Sequence, residues 1–219
     1  MYRAVSKAQY IAQSSNEEKL VVELFPQTTA RVPSNIPYVV DNIWEFLRPD
    51  NIPSRRIAVF ASPHRELAAQ YGNDSTAICK VMLSAKATLV QLEDYQDARF
   101  HPDVRNIPKI ILEHLGQSWV DSSVSSKTLA GKLFIPALSR EEVASILLSD
   151  FPILKKMKDE LIERSTFWQD LSLLDIVQVE QGKYPITDGE LFFHAPDGYV
   201  LYEESDSDYE ARISKEKNQ

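Results

Sequence analysis

Two short segments carry side chains of the kind that hold and transform ligands. Tyr2-Arg3 lies in an N-terminal β-type segment, Tyr2 to Ser6. An arginine in a short buried strand is costly unless a partner or a ligand meets its charge. Phe60-Ala61-Ser62 ends an apolar run that begins at Arg56, and Pro63 follows it. A hydroxyl at a strand end can orient an arginine or a ligand. Before a proline it can equally cap the next helix. A third cluster is basic: residues 31–65 hold five arginines, at positions 31, 48, 55, 56 and 65, against Asp41, Glu45 and Asp50. Its plain reading is a solvated loop. Its functional reading is a contact for a pyrophosphate or for a phosphorylated target such as RNA. Asp41 and Asn42, on the flank of a helix, could line the same cleft, while Val39, Ile43 and Trp44 read as its core side.

Several chemistries are excluded by what the sequence lacks. Its six glycines supply neither GxGxxG nor GxxxxGKS, which argues against a Rossmann or P-loop enzyme. There is no GxSxG elbow and no HExxH. The four histidines, at 64, 101, 114 and 194, are scattered, and His64 falls at a strand-to-helix turn. Cys79 is the sole cysteine, so no internal disulfide and no Cys/His zinc set can form. No metal is expected, and a reducing compartment is.

Taken in order, these pieces resemble the ADP-ribosyltransferase superfamily, in the group whose motif runs Arg, then Ser, then Glu. In that family a first strand ends in aromatic-Arg. A later strand carries an aromatic and then Ser-Thr-Ser or a reduced form of it. A helix of pattern Ala-x-x-aromatic-Gly follows, and then a strand leaving the site. Here the matching pieces are Tyr2-Arg3, Phe60-Ala61-Ser62-Pro63, Ala68 to Tyr71-Gly72, and Thr76 to Leu83. The likeness covers the first 90 residues or so. The middle block is Phe-Ala-Ser, so only Ser62 carries over. The family's glutamate opens a late strand, often in a Glu-x-Glu or Gln-x-Glu pair, and two positions compete for it. Glu190 opens Leu191-Phe192-Phe193 after the turn Asp188-Gly189. Glu180 ends Gln178-Val179-Glu180 at a strand end. Glu190 fits better, although the helices between 139 and 170 then become an insertion.

The resemblance implies NAD as a substrate. Arg3 would hold a phosphate or ribose edge by charge-assisted hydrogen bonds. The Glu190 carboxylate would stabilise an oxocarbenium-like cation as the nicotinamide–ribose bond breaks. Ser62 would orient Glu190 or the ribose. Tyr38 or Tyr71 would stack on nicotinamide, and Phe60 would complete the NAD-binding set, although residues such as Phe60 and Tyr71 are more often core. The expected activity is transfer of ADP-ribose to a macromolecule, protein or nucleic acid. Small free-standing members of the family are often toxins, effectors, or phage and anti-phage proteins, so a neutralising partner protein is a further expectation. Two rivals stand beside this reading: an NAD glycohydrolase on the same fold, and a non-catalytic protein-binding module.

These residues need elements to position them. Apolar spacing predicts a helix from Tyr38 to Leu47 and strands at Arg56–Ser62, Thr76–Leu83 and Ala87–Leu92. A short helix from Pro63 to Tyr71 separates the first two strands. A helix interrupted at Pro108 is expected over 103–115, a Ser-rich loop over 118–128, and a strand at Lys132–Ala137. Ser139 with Glu142 is a capping-box signature for a helix to about Leu148. Leu154, Met157, Leu161 and Ile162 mark a second amphipathic helix. Strands are expected at Ile176–Val179, Leu191–Phe193 and Tyr199–Tyr202. The mixture lacks βαβ regularity and indicates an α+β fold. The expectation is one ADP-ribosyltransferase-like domain over 1–202, with a mixed or antiparallel two-sheet core, helical insertions, and an acidic mobile tail over 203–219.

Composition is ordinary for a globular chain: 219 residues, 43% hydrophobic and 26% charged. No apolar run is long enough for a membrane span, and Met1–Ser6 shows no signal core, so a cytoplasmic protein without a membrane partner is expected. The net charge of −8 disfavours a protein that coats nucleic acid. Five of those negative charges lie between Glu203 and Glu210, which leaves −3 for the rest. The acidity describes the tail more than a pocket.

Overall fold

Alternation between apolar and polar residues organises the β half of the molecule. In a computed structural model, which describes residues 1–8, 21–117, 124–180 and 187–203, the first elements in chain order are β1 (Tyr2–Ser6), β2 (Val21–Leu24), α1 (Tyr38–Leu47), β3 (Val59–Ala61), α2 (Arg65–Gln70), β4 (Thr76–Leu83) and β5 (Thr88–Leu92). Then come α3 (Asp103–Gln117), α4 (Val124–Gly131), α5 (Arg140–Leu147), α6 (Pro152–Arg164), β6 (Leu171–Leu174), α7 (Ile176–Glu180), β7 (Leu191–His194) and β8 (Tyr199–Glu203). The chain is α+β, with two four-stranded sheets of order β1-β4-β8-β2 and β3-β7-β5-β6.

The residues fall into two compact units, each assembled from separate stretches of chain. A sheet unit takes Met1–Pro26, Val59–Gln91 and Leu173–Gln219; a helical unit takes Gln27–Ala58 and Leu92–Ser172. In the sheet unit, β4 buries Ala77, Cys79, Val81 and Leu83 on one side. It pairs antiparallel with β1 (Arg3 opposite Cys79) and β8 (Leu83 opposite Tyr199). Val59, Ala61, Leu89, Leu191 and Phe193 join the same core. Gly198, at φ +90°, turns the chain from β7 into β8, and a Cβ there would meet the Leu24 carbonyl oxygen at 2.8 Å. Only glycine suits both conditions.

In the helical unit, α1 buries Val39, Val40, Ile43 and Trp44, and Trp44 stacks on Phe167 with centroids 3.9 Å apart. The capping box at Ser139 and Glu142 forms as expected. Pro108, however, does not interrupt its helix: α3 runs through it. An interior proline costs about 3 kcal/mol, and α3 offsets this by burying Ile107, Ile110 and Ile111. Further differences follow from side chains that satisfy backbone groups. Residues 118–123 of the expected Ser-rich loop, and 204–219 of the expected tail, lie outside the described residues, while Val124–Gly131 is helical. Lys132–Phe134 is a 3₁₀ turn, because Asn42 Nδ2 donates to the Leu133 and Ile135 carbonyls (2.8 and 2.7 Å) and no strand partner is needed. The expected strand at Arg56–Ser62 shrinks to Val59–Ala61, since Ser54–Ala58 forms a turn. The expected strand at Ile176–Val179 is the short helix α7, opened by Asp175 Oδ1 accepting from the Val177 N–H at 2.9 Å.

Candidate active site

The end of β3 is where three of the sequence-derived candidates, Phe60, Ser62 and Glu190, come together. β3 pairs antiparallel with β7, Phe60 opposite Phe192 and Ala61 opposite Leu191. Continued by one residue, this ladder sets Ser62 opposite Glu190; by three, it sets His64 opposite Asp188. The chain remains extended at His64 (φ −118°, ψ 151°). Side-chain contacts bracket the continued register on both sides. The Phe60 and Phe192 rings lie 6.1 Å apart, and His64 Nε2 lies 3.2 Å from Asp188 Oδ1. Alternate residues of an extended chain share a face. In the continued register Phe60 and Ser62 share the side of the strands opposite the Val59, Ala61, Leu191 and Phe193 core, with Phe192 and Glu190 across from them, and the His64–Asp188 contact lies beyond, where both segments bend. Ser62 and Glu190 are both partly buried.

Two features secure this edge. Tyr2 forms a reciprocal pair of 2.7 Å backbone hydrogen bonds with Ser62, so β1 runs beside the end of β3. Gln91, buried and opposite Leu191, spends both ends of its amide on the turn before β7. Its Nε2 donates to the Thr187 and Gly189 carbonyls (2.9 and 3.2 Å), and its Oε1 accepts from the Thr187 N–H at 3.4 Å.

Arg3 lies next in sequence to the residue that meets Ser62, and its own guanidinium is bonded elsewhere. The residue paired with Ser62 is Tyr2. Arg3 is paired with the core residue Cys79, and its Nη1 donates to Tyr199 Oη at 2.9 Å. Tyr199 in turn packs edge-on against Phe193, with centroids 5.1 Å apart. Tyr71 is the exposed C-cap of α2. Gly72 beside it is required sterically, because a Cβ would lie 2.5 Å from Thr76 Oγ1, which the Asn73 backbone holds at both N–H and carbonyl. Tyr38 belongs to the helical unit, exposed at the first position of α1. Glu180 is exposed at the end of α7, a helix. The N-cap position of α2 is His64, so Ser62 is not the cap, and His64 makes no side-chain capping bond.

The arginine cluster is corrected at Arg56, Asp41 and Asn42. Arg56 and Asp41 do meet Asn42, but in a buried knot rather than a cleft. Arg56 Nε donates to Asp41 Oδ2 at 2.8 Å, Nη2 to Asn42 Oδ1 at 2.8 Å, and Nη1 to the Leu138 carbonyl. Burial pushes the Asp41 carboxyl above its ordinary value, outweighing the opposing attraction of Arg56. Arg55 lies over the Trp44 and Phe167 rings (5.9 and 5.3 Å), Arg48 pairs with Glu45, and Arg31 donates to the Ala58 carbonyl. The buried histidine, His101, is also architectural. His101 Nε2 bonds Asp170 at 2.9 Å while its Nδ1 accepts the Asp103 N–H, inside a box of Trp44, Tyr95 and Phe167.

Sequence reasoning missed Asp188 as a partner of His64, and it missed Gln91 and Tyr199. The spacing signal was present: His64 is two residues after Ser62, and Asp188 two before Glu190. It acquires meaning only once β3 and β7 are known to pair. Among the described residues no group of three or more His, Cys, Asp or Glu side chains could hold a metal ion. None of the described helices is long and apolar enough to cross a membrane. The chain matches no protein-family model, no curated protein and no solved structure.

Proposed function

We propose that this chain is an ADP-ribosyltransferase-like enzyme that cleaves NAD at the nicotinamide–ribose bond and passes ADP-ribose to a macromolecular acceptor. The observation that supports this best is the register of β3 and β7, whose continuation by one residue pairs Ser62 with Glu190 next to the aromatic pair Phe60 and Phe192. As the C1′–N bond lengthens, positive charge builds on the ribose and the departing electron pair neutralises the pyridinium nitrogen. A fixed carboxylate beside C1′ stabilises that cation. Ser62 holds the carboxylate or the ribose hydroxyl in place, and Phe60, partly exposed and backed by the buried Phe192, provides a stacking surface for nicotinamide.

Arg3 has two tasks in this reading: one N–H secures Tyr199, and the remaining donors hold a phosphate of NAD. The two separate experimentally. If Arg3 binds NAD, Arg3→Ala raises KM for NAD about tenfold or more while Tyr199→Phe leaves KM near wild type. A phosphate contact of this kind contributes roughly 1.5–3 kcal/mol. Equal KM values in both variants would confine Arg3 to the fold.

The whole reading is tested by nicotinamide release from labelled NAD. Turnover by the wild type that is lost in Glu190→Gln supports it. Negligible turnover by both leaves a binding module instead. Label recovered in protein or RNA fractions marks a transferase; label recovered only as free ADP-ribose marks a glycohydrolase.

A further inference from the structure

Resting on that reading, we infer that His64, oriented by Asp188, is the general base that takes the proton from a hydroxyl acceptor during ADP-ribosyl transfer. The inference starts from a pair whose presence stability does not explain. The side chains of His64 and Asp188 are 49% and 67% exposed, and pairs so exposed add little to stability. His64 occupies the N-cap position of α2, where Ser, Thr, Asp or Asn would satisfy the helix, yet its ring makes no capping bond. The ring instead joins Asp188 at 3.2 Å, just beyond Ser62 and Glu190 in the continued register. The molecule also places a polar amide in its core to hold this geometry. Buried Gln91 clamps Thr187 and Gly189, the residues on either side of Asp188. Gln91 is thus a positioning residue for the dyad.

The chemistry follows from which nitrogen is engaged. With Nε2–H donating to Asp188, Nδ1 is left as the basic nitrogen, and the carboxylate stabilises the imidazolium that forms. The acceptor oxygen attacks C1′ as the C1′–N bond breaks. The bonding pair leaves on nicotinamide, the O–H proton goes to His64 Nδ1, and that proton is later released to water. NAD and an alcohol thereby give the O-linked ADP-riboside, nicotinamide and a proton. A neutral hydroxyl is a poor nucleophile until its proton is taken, so it is the acceptor class for which such a base matters most. The exposure of both side chains leaves the dyad reachable by a hydroxyl carried on a large molecule.

The test uses the full chain with NAD in buffer containing methanol or sodium azide, and quantifies nicotinamide, ADP-ribose, the O-methyl riboside and the azido riboside. Azide carries no proton to lose, so it needs no base. For His64→Ala the expectation is a loss of about 100-fold in ADP-ribose and O-methyl product, with azido product formed at close to the wild-type rate. Asp188→Asn should give the same pattern with a smaller loss, and added imidazole should restore part of the O-methyl product in His64→Ala. Retention of ADP-ribose and O-methyl product in His64→Ala overturns the inference and leaves the transferase reading intact. Loss of all products, azide included, also overturns it, because His64 is then needed for the fold or for NAD. Absence of nicotinamide release from the wild type removes the transferase reading itself, and the inference with it.

Discussion

The two units use the same kinds of side chain to opposite ends. In the helical unit, Arg56, Asp41 and Asn42 are buried and are bonded to one another and to the Leu138 backbone at 2.5 to 3.0 Å. The Asp103 carboxylate nearby accepts from Trp44 Nε1, Ser165 Oγ and the Thr166 and Phe167 N–H groups. Charges so enclosed hold the unit's own segments together and have no surface to offer a ligand. In the sheet unit, Ser62, His64, Asp188 and Glu190 lie at the frayed end of a strand pair, and none is buried. An isolated charge in a core is intolerable unless matched, whereas a charge at a strand end can remain reactive. Burial with full pairing identifies architecture; partial exposure in register identifies a candidate site.

The largest expected effect breaks the helical knot. Asp41→Ala leaves Arg56 buried without its carboxylate and should destabilise the helical unit by about 3–5 kcal/mol, read by urea denaturation. A simultaneous Arg56→Met should recover most of that loss. Recovery confined to stability, with no gain in NAD turnover, would sharpen the contrast between the units. Next, Glu190→Gln should lower NAD turnover about 100-fold or more while the unfolding midpoint in urea stays within error of wild type. A large stability loss would instead assign Glu190 to architecture, the same class as Asp41.

A smaller effect is expected at Ala137, held at φ 55° in the segment that Asn42 staples through Ile135 and Leu138. The left-handed conformation costs an alanine roughly 1–2 kcal/mol, and glycine returns about 0.5–1 of that as unfolded-chain entropy. Ala137→Gly should therefore stabilise the unit by up to about 1 kcal/mol, measured by the same denaturation. The smallest effect concerns pH. Hydrogen bonds from His114 (2.7 Å) and Arg164 hold the Glu160 carboxyl below its ordinary value of 4.5. A carboxyl whose folded pKa is lowered contributes stability above its unfolded pKa, and that contribution is lost as pH falls through the folded pKa. Denaturation midpoints of Glu160→Gln and wild type should therefore converge below pH 4.5, with the wild type slightly ahead at neutral pH.

Much of the local structure was legible because it depends on local rules. The alternation of Thr76–Leu83, the spacing of α1 and the Ser139–Glu142 box each act within a few residues, and each element appears where the pattern places it. Misread segments are those where a distant side chain supplied what the backbone needed. Lys132–Phe134 looked like a strand until Asn42, some 90 positions away in sequence, bonded its carbonyls. Arg56 looked like a ligand contact until Asp41 and the Leu138 carbonyl enclosed it.

The sequence by itself determined the α+β class, the periods of most elements, the lack of nucleotide-loop and zinc motifs, and the candidates Arg3, Ser62 and Glu190. Tertiary structure decided what those residues face. The register between β3 and β7, continued past its last pair, points Ser62 toward Glu190 and ends on the His64–Asp188 contact, while the Arg3 guanidinium, on the strand paired with β4, goes to Tyr199. Side-chain period is a property of one strand and is written in its residues. Which strand lies opposite, and in what register, depends on core packing and turns across more than a hundred intervening residues, so a single sequence does not display it.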